Sequence, residues 1–367
     1  MPRIDEFPAE VLGQRLRLAR EAAGLNQTEA SAIAGVSRTT LVHTEQGKRR
    51  PRMAELVKLA PRYNVSVARL LRADAVQVEF IAQFRRLEAD GPLTGAEEEA
   101  VRLLERLSAA YVELEREVGV PATHLPVAPA RVSGKRIKEQ AEDAAMALRS
   151  SLGIGLAPIP DVVGLLENEL GFRVFRRTLA PHISGVFAYS EQAGPCVLLN
   201  SAHPMTRQAM TGAHELGHYV GDRHAVDVYA GEHTPDSPGE RFATWFGLAF
   251  LMPPAAVRRR FKALTEEGRF SARHLIHLAD QFHVSLEGMA RWLENLRLLP
   301  DGTYLMLRER GLSGTHVEEV LGKRPPPMPT STRLAMLAAE AYSRGRRTES
   351  QLAELLDLDR VHVRDLL

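Results

Sequence analysis

The sequence predicts a mainly α, multidomain protein with one small sheet near its middle. Three observations support this. Capped apolar stripes of helical period recur along most of the chain, strand-like runs are confined to residues 172–200, and 367 residues exceed one ordinary domain. The Pro-containing stretches GVPATHLPVAPA (119–130) and GKRPPPMP (322–329) read as joints. The chain is accordingly expected to divide into residues 1–74, 75–130, 131–300 and 301–367.

Residues 8–23 place Val11, Leu12, Leu16 and Ala19 at helical spacing, and Gly24 then stops the first helix. Asn26 can cap a second helix, with Glu29 at its third position, Leu25 as the staple residue and Gly35 closing it. Ser37 caps a third helix that Gly47 ends. A fourth is expected from about Arg52 to Arg62, and Ser66 caps a short fifth ending near Arg72. Five short helices with a glycine turn between the second and third form a compact DNA-binding pattern. Residues 76–118 should form two helices broken at Asp90-Gly91-Pro92. In the second, Ala100, Leu104, Leu107, Tyr111, Leu114 and Val118 alternate by four and three residues. That stripe suits either a dimer seam or a helix packed on its own chain.

From Lys135 the pattern turns to mixed α and β. Helices are expected over about 135–151 and 159–170, followed by strands at FRVFR (172–176), 183–189 and the apolar CVLLN (196–200). A helix over 204–221 and an apolar one over 238–251 come next, the latter ending at MPP (252–254). Further helices are expected at 254–264, 271–282, 285–296, 331–343 and 348–367. The tail, TESQLAELLDLDRVHVRDLL, has the rhythm of a second helix-turn-helix. Asp357, Asp359 and Asp365 would repel phosphates from its recognition face, so it reads as a packing or protein-contact module.

Hydrophobic content of 44% and charged content of 25% are those of a soluble globular protein. No apolar run reaches the roughly 18 residues that a membrane span needs, and MPRIDEFPAE lacks the core of a signal peptide. The single cysteine, Cys196, excludes an intramolecular disulfide framework and a cysteine metal cluster, so a cytoplasmic location is expected. In its buried-looking strand it reads as a small core residue. Net charge is only +1, yet residues 1–74 hold 13 Lys/Arg against 8 Asp/Glu, which hints at a polyanionic partner for the front of the chain.

The chemistry concentrates in TGAHELGHYV (211–220). On a helix, His214 and His218 project from one face a turn apart and can reach one tetrahedral Zn²⁺. Glu215 is rotated about 100° from His214, placed to take a proton from water rather than to bind metal. Gly217 lets another backbone approach closely. A catalytic zinc needs a third protein ligand, and Glu240, opening ERFATWFGLAFLMPP, offers a carboxylate. HELGH followed by E-x-x-A-x-x-F-x-x-x-x-L-M-P resembles the ImmA/IrrE metallopeptidases, gluzincins found with phage-repressor-type regulators. Glu240, Ala243, Phe246, Leu251, Met252 and Pro253 carry the second motif, and the resemblance covers about residues 135–300. It implies a zincin-like α+β domain with Zn²⁺ as cofactor, His214, His218 and Glu240 as ligands, and Glu215 as base. The family usually has Asn where this chain has Thr244. A polar side chain there can orient a ligand histidine, and threonine has a shorter reach. His224, Tyr229 and His233 lie between the two site helices as candidate transition-state donors, among which spacing does not choose. His203 beside Pro204 is equally open, while His274, His277 and His283 read as structural or exposed.

Residues 12–51 resemble the phage-repressor (XRE) helix-turn-helix family. The resemblance rests on Arg17 and Arg20, GLNQTE (24–29), AGVS (34–37), the Glu45–Pro51 segment, and Leu56 with Leu59. It implies a third helix in the major groove of double-stranded DNA and a second helix against the backbone. Gln27 would then contact phosphate, and Arg38, Thr39, Thr40 and His43 would face base edges. Lys48, Arg49 and Arg50 form a basic turn suited to phosphates. A homodimer is expected, because one such domain rarely binds tightly alone.

Together these features describe a DNA-binding transcriptional regulator carrying a zinc-dependent endopeptidase. The resemblance implies a stress or mobile-element response, with a partner repressor or the chain itself as protein substrate; the joints at 119–130 and 322–329 are the places for self-cleavage. The alternative is a non-proteolytic regulator or antitoxin whose peptidase-like domain senses a ligand or metal.

Overall fold

The computed structural model describes residues 8–63, 65, 67–71, 78, 80, 93–120, 127–223, 227–229, 237–266, 268–312 and 331–367. The chain divides into two compact units, Met1–Gln77 and Val78–Leu367.

The first unit is helical throughout its described residues: α1 (Ala9–Ala22), α2 (Gln27–Ala34), α3 (Arg38–Glu45), α4 (Met53–Arg62) and α5 (Val67–Leu70). The expected capping box is present. The Asn26 side chain accepts from the amides of Thr28 and Glu29, while the Glu29 carboxylate accepts from the Asn26 amide at 2.9 Å. Gly35, at φ +73°, turns α2 into α3, whose first turn is capped by Ser37. Leu12, Leu16, Leu41, Leu56, Leu59 and Tyr63 fill the core. A Cβ at Gly13 would lie 2.4 Å from the Thr44 carbonyl oxygen, so α1 rests directly on the end of α3. The same junction is tied by Arg20, which donates to both oxygens of buried Glu45 at 2.6 and 3.1 Å and to the Leu25 carbonyl.

The second unit begins among the described elements with α6 (Gly95–Val118), α7 (Ile137–Ser151) and α8 (Val162–Asn168). The strands are β1 (Arg173–Arg177), β2 (Gly185–Ser190), β3 (Gly194–Asn200) and β4 (Asp227–Tyr229). They form one sheet in the order β1-β3-β2-β4, with β1 parallel to β3 and both β3 and β4 antiparallel to β2. Helices α9 (Met205–Gly221) and α10 (Pro238–Leu251) cross between β3 and the helical remainder: α11 (Pro254–Thr265), α12 (Ala272–Gln281), α13 (Leu286–Asn295) and α14 (Thr303–Glu309). The core joins Phe172, Val174, Phe187 and Val197 of the sheet side to Leu216, Phe242, Phe246, Phe250 and Trp292 of the helices. β3 is buried at every position, as its unbroken apolar run predicts. β4 and α14 were not anticipated; three residues and a seven-residue helix are too short to show a period.

The stripe on α6 is buried within its own unit: Leu104, Tyr111 and Leu114 are fully covered, and Tyr111 meets Phe175 of β1 edge-on at 5.9 Å. Of the two readings of this stripe, these contacts support a helix packed on its own chain. Residues 331–367 pack within their own unit. They form α15 (Thr332–Ser343), α16 (Glu349–Leu356) and α17 (Arg360–Leu366), and α15 folds back onto α6. Arg333 pairs with Glu115 at 2.9 Å, Arg344 donates to the Val118 carbonyl at 2.7 Å, and Arg347 binds Glu113 and Glu117. The tail expected as one helix breaks at Asp357, whose backbone is left-handed at φ +53°. Ser66, the joint at 322–329, half of that at 119–130, and the helix and break at 76–92 apart from Val78 and Phe80 lie outside the described residues.

Arg149 on α7 is wholly buried, and its guanidinium donates to the carbonyls of Gly155, Ala157 and Phe250. Phe250 lies in the last turn of α10, so Arg149 satisfies a carbonyl at that end, beside the Met252 carbonyl that accepts from the Trp292 indole at 2.9 Å. Burial lowers its pKa to about 10, still high enough to keep it charged. Arg149→Met leaves three carbonyls short of donors and is expected to cost about 2–4 kcal/mol. Thermal melts followed by circular dichroism should show a loss of several degrees in Tm, and an unchanged Tm would remove Arg149 from the account of this fold.

Candidate metal centre and nucleic-acid interface

The two site helices meet through small residues. A Cβ at Gly217 would stand 2.7 Å from the Ala243 Cα, and one at Gly247 would stand 3.1 Å from the His214 amide nitrogen. The backbones of α9 and α10 therefore touch, as the glycine between the histidines led one to expect. The entry to α9 is set by Asn200 at the end of β3. Its buried amide donates to the Ile183 carbonyl at 2.8 Å, and its oxygen accepts from the amides of Leu179 and Ala202. Sequence reasoning missed Asn200, although a lone amide closing an apolar strand is itself a signal of a turn that must be satisfied.

The contact between helices brings three ligand-type atoms together. His214 Nε2 and His218 Nε2 are 3.1 Å apart, and the Glu240 carboxylate lies 3.4 Å from the first and 3.1 Å from the second. Tetrahedral bonds of roughly 2.0–2.1 Å place neighbouring ligand atoms about 3.3 Å apart. The residues thus fit a zinc ion in both donor type and spacing, and they form a metal-compatible group of His214, His218 and Glu240. Both histidines are buried, and Glu240 is partly exposed. Burial pushes the His214 imidazole down to about 4, opposed by its hydrogen bond to Glu240 and helped by neighbouring His218. Burial works to raise the Glu240 carboxyl, but its hydrogen bonds to the two histidines outweigh this and hold it well below the usual carboxylate range. Neutral imidazoles and an ionised carboxylate are the protonation states a metal requires.

Glu215 is fully buried and lies under β2, where a Cβ on Gly185 would come 3.4 Å from its Oε1. Of the candidate donors, Tyr229 is at the centre: its ring stacks on that of His214 with centroids 4.2 Å apart. His224 and His233 lie outside the described residues. His203 instead bonds the Pro181 carbonyl at 3.0 Å, and His274 sits beside the N-cap Ser271 and the Phe270 ring. Thr244 lies one turn after Glu240 and is half-buried. Cys196 is buried with its thiol pushed up to about 11 by burial, an inert core residue.

In the first unit, Arg38, Thr39 and His43 stand exposed on α3 with Lys48 and Arg50 beyond it, while Thr40 is half-buried and bonded to Ser37 at 2.8 Å. Gln27 is preset by two contacts: its amide donates to Glu45 at 3.2 Å, and its oxygen accepts from Arg38 at 3.5 Å. Arg49 of the basic turn is held by Glu55 in a two-point ion pair at 2.8 and 2.7 Å. Arg20, read as part of a motif, proves to be the partner of Glu45, a pairing that sequence separation of 25 residues conceals.

Comparison with known families agrees with these two descriptions. Residues 11–73 match the family described as a helix-turn-helix domain, and residues 167–294 match a peptidase family described as the IrrE N-terminal-like domain. No curated protein matches the chain.

Two outcomes follow from the geometry. Gly217→Ala forces α9 and α10 apart and is expected to weaken zinc binding at least tenfold in chelator competition, whereas substitution of open Gly268 should not. The pH dependence of the metal-free chain has a definite sign. Folding holds the His214 pKa below 6.5, so the unfolded chain binds the proton more readily. The stability of the neutral form is complete above about pH 6.5 and is lost as pH falls toward 4. Melts of EDTA-treated protein should show Tm falling across that window, and the fall should flatten in His214→Leu.

Proposed function

We propose that this chain, a helix-turn-helix protein fused to an ImmA/IrrE-type peptidase domain, is a transcriptional regulator that also cleaves a regulatory protein. The observation that carries the reading is the convergence of His214, His218 and Glu240 at 3.1–3.4 Å beside a buried Glu215. The two Nε2 atoms and the Glu240 carboxylate would hold zinc. Bound there, the ion would supply Lewis acidity, acidifying water and polarising a peptide carbonyl. Glu215, next in sequence to the first ligand, accepts the proton of the attacking water on its carboxylate and returns it to the leaving amine. Its enclosure under β2 keeps bulk water from competing for that proton. His214, His218 and Glu240 have no other task than to fix the ion against this carboxylate.

On DNA, Gln27 and the amides at the start of α2 would grip phosphate, while Arg38, Thr39, Thr40 and His43 face base edges and Lys48 and Arg50 add salt-dependent affinity. Binding as a homodimer on two half-sites gives such a domain its affinity. Because the stripe on α6 is occupied, the dimer contact would use another surface. The favoured substrate is a partner repressor or the chain itself, in a cytoplasmic stress or mobile-element response.

A second reading keeps the metal but not the cleavage: the domain would sense metal or ligand and alter DNA binding. Thr244, standing where the family usually has Asn, favours it, because its reach is shorter.

Glu215→Gln separates the two. The variant is expected to retain one zinc per chain by elemental analysis and to lose proteolysis of the chain or of its partner repressor by about 10²–10⁴-fold. Zinc retained with no cleavage of any candidate by the wild type would leave the sensor. For DNA, Arg38→Ala should weaken operator binding by about 1–3 kcal/mol in gel-shift titration, and Gln27→Ala should weaken it across all sequences. Unchanged affinity in both would overturn the DNA assignment.

A further inference from the structure

Gly185 of β2 and Tyr229 of β4 face each other as a strand pair. Each lies over one chemically important residue of α9. The Tyr229 ring stacks on His214 at 4.2 Å and 29°, and the Gly185 Cα hydrogen stands where a Cβ would be 2.6 Å from Thr211 Cγ2 and 3.4 Å from Glu215 Oε1. The pair is fixed in the sheet, since the Ser184 amide donates to the Tyr229 carbonyl at 2.7 Å and Arg207 on α9 donates to the Ser184 hydroxyl.

We propose that this strand pair positions the metal centre: Tyr229 fixes the His214 ring plane by stacking, and bare Gly185 brings β2 close enough to α9 for it to do so. The inference rests on the metal-binding reading given above. An imidazole has a broad, roughly two-fold torsion about its last side-chain bond, so something must select the orientation that aims Nε2 at the ion. His218 approaches the His214 ring edge-on, at 76° and 4.8 Å, and leaves a face to be held. Tyr229 covers that face. A side chain on Gly185 would strike Thr211 and raise β2, and its strand partner Tyr229 would lift with it. On this account the ring of Tyr229 matters and its hydroxyl does not. Tyr229 is thereby a positioning residue.

The test uses the full chain and metal alone. Cobalt(II) titration followed by visible absorption reports ligand geometry, and zinc competition against a chromophoric chelator reports affinity. Tyr229→Phe should match the wild type in both. Tyr229→Leu should alter the cobalt bands and weaken zinc about three- to tenfold, the range of an aromatic pair. Gly185→Ala should reproduce the Tyr229→Leu spectrum, and adding Thr211→Ser, which removes the clashing methyl, should restore it. Wild-type behaviour of both Tyr229→Leu and Gly185→Ala would overturn the proposal, as would a Tyr229→Phe variant as damaged as Tyr229→Leu. A wild-type chain that binds neither ion would overturn the metal centre itself, which is a different result from a bound ion indifferent to Tyr229.

Discussion

The close approach of α9 and α10 is the constraint on which the second unit depends. His214 and His218 come as a pair from any helix with that spacing, but the third ligand belongs to another helix and must be delivered to within about 3 Å. Gly217 against Ala243 and Gly247 against His214 remove the side chains that would hold the two backbones at the usual 8–10 Å. Phe242, Phe246 and Phe250 then project from α10 into the core beside Leu216, so burial presses together what the glycines allow to touch. Arg149 anchors the far end of α10 through the Phe250 carbonyl. Metal geometry here is a consequence of helix packing.

That origin explains what could be read from the sequence. Helices with capping residues were legible nearly to the residue, Asn26 with Glu29 being the clearest case, because their causes are local. The same holds for His214, Glu215 and His218, whose geometry one helix defines. Glu240 was legible through its motif. Features that depend on pairing between distant segments were not. Arg20 and Arg49 look like free cations until Glu45 and Glu55 fold against them. The α6 stripe was legible as apolar but silent about its partner, since a sheet and a second helix demand the same spacing. β4 was invisible because three residues take their strand character from β2 rather than from their own pattern.

Charge pairing also decides the place of the C-terminal helices. Arg333 and Arg347 meet three glutamates of α6 between them, and buried Arg173 of β1 shares Glu115 with Arg333. Pairs this enclosed gain little over apolar packing, but removing one partner strands the other charge away from water. Their effect is therefore on register: only one docking of α15 satisfies Glu113, Glu115 and Glu117 together. The near-neutral total charge conceals this, because the formal sum is the same whether charges are paired in the interior or spread over the surface.

The orientation of His214 joins these threads. Thr244 stands where a polar side chain could give a histidine a hydrogen bond, and the face of the His214 ring is covered by Tyr229. The two devices are not equivalent. A hydrogen bond to the second ring nitrogen fixes the tautomer and raises ligand basicity, whereas a stacked ring restrains only rotation. Stacking also brings a dependence that a hydrogen bond from α10 would not have, since Tyr229 reaches His214 only while β4 stays paired to β2. On the proposed reading the sheet edge and His214 are thus mechanically coupled, and whatever disturbs the three-residue pairing of β4 would also free the ring that would aim Nε2 at an ion.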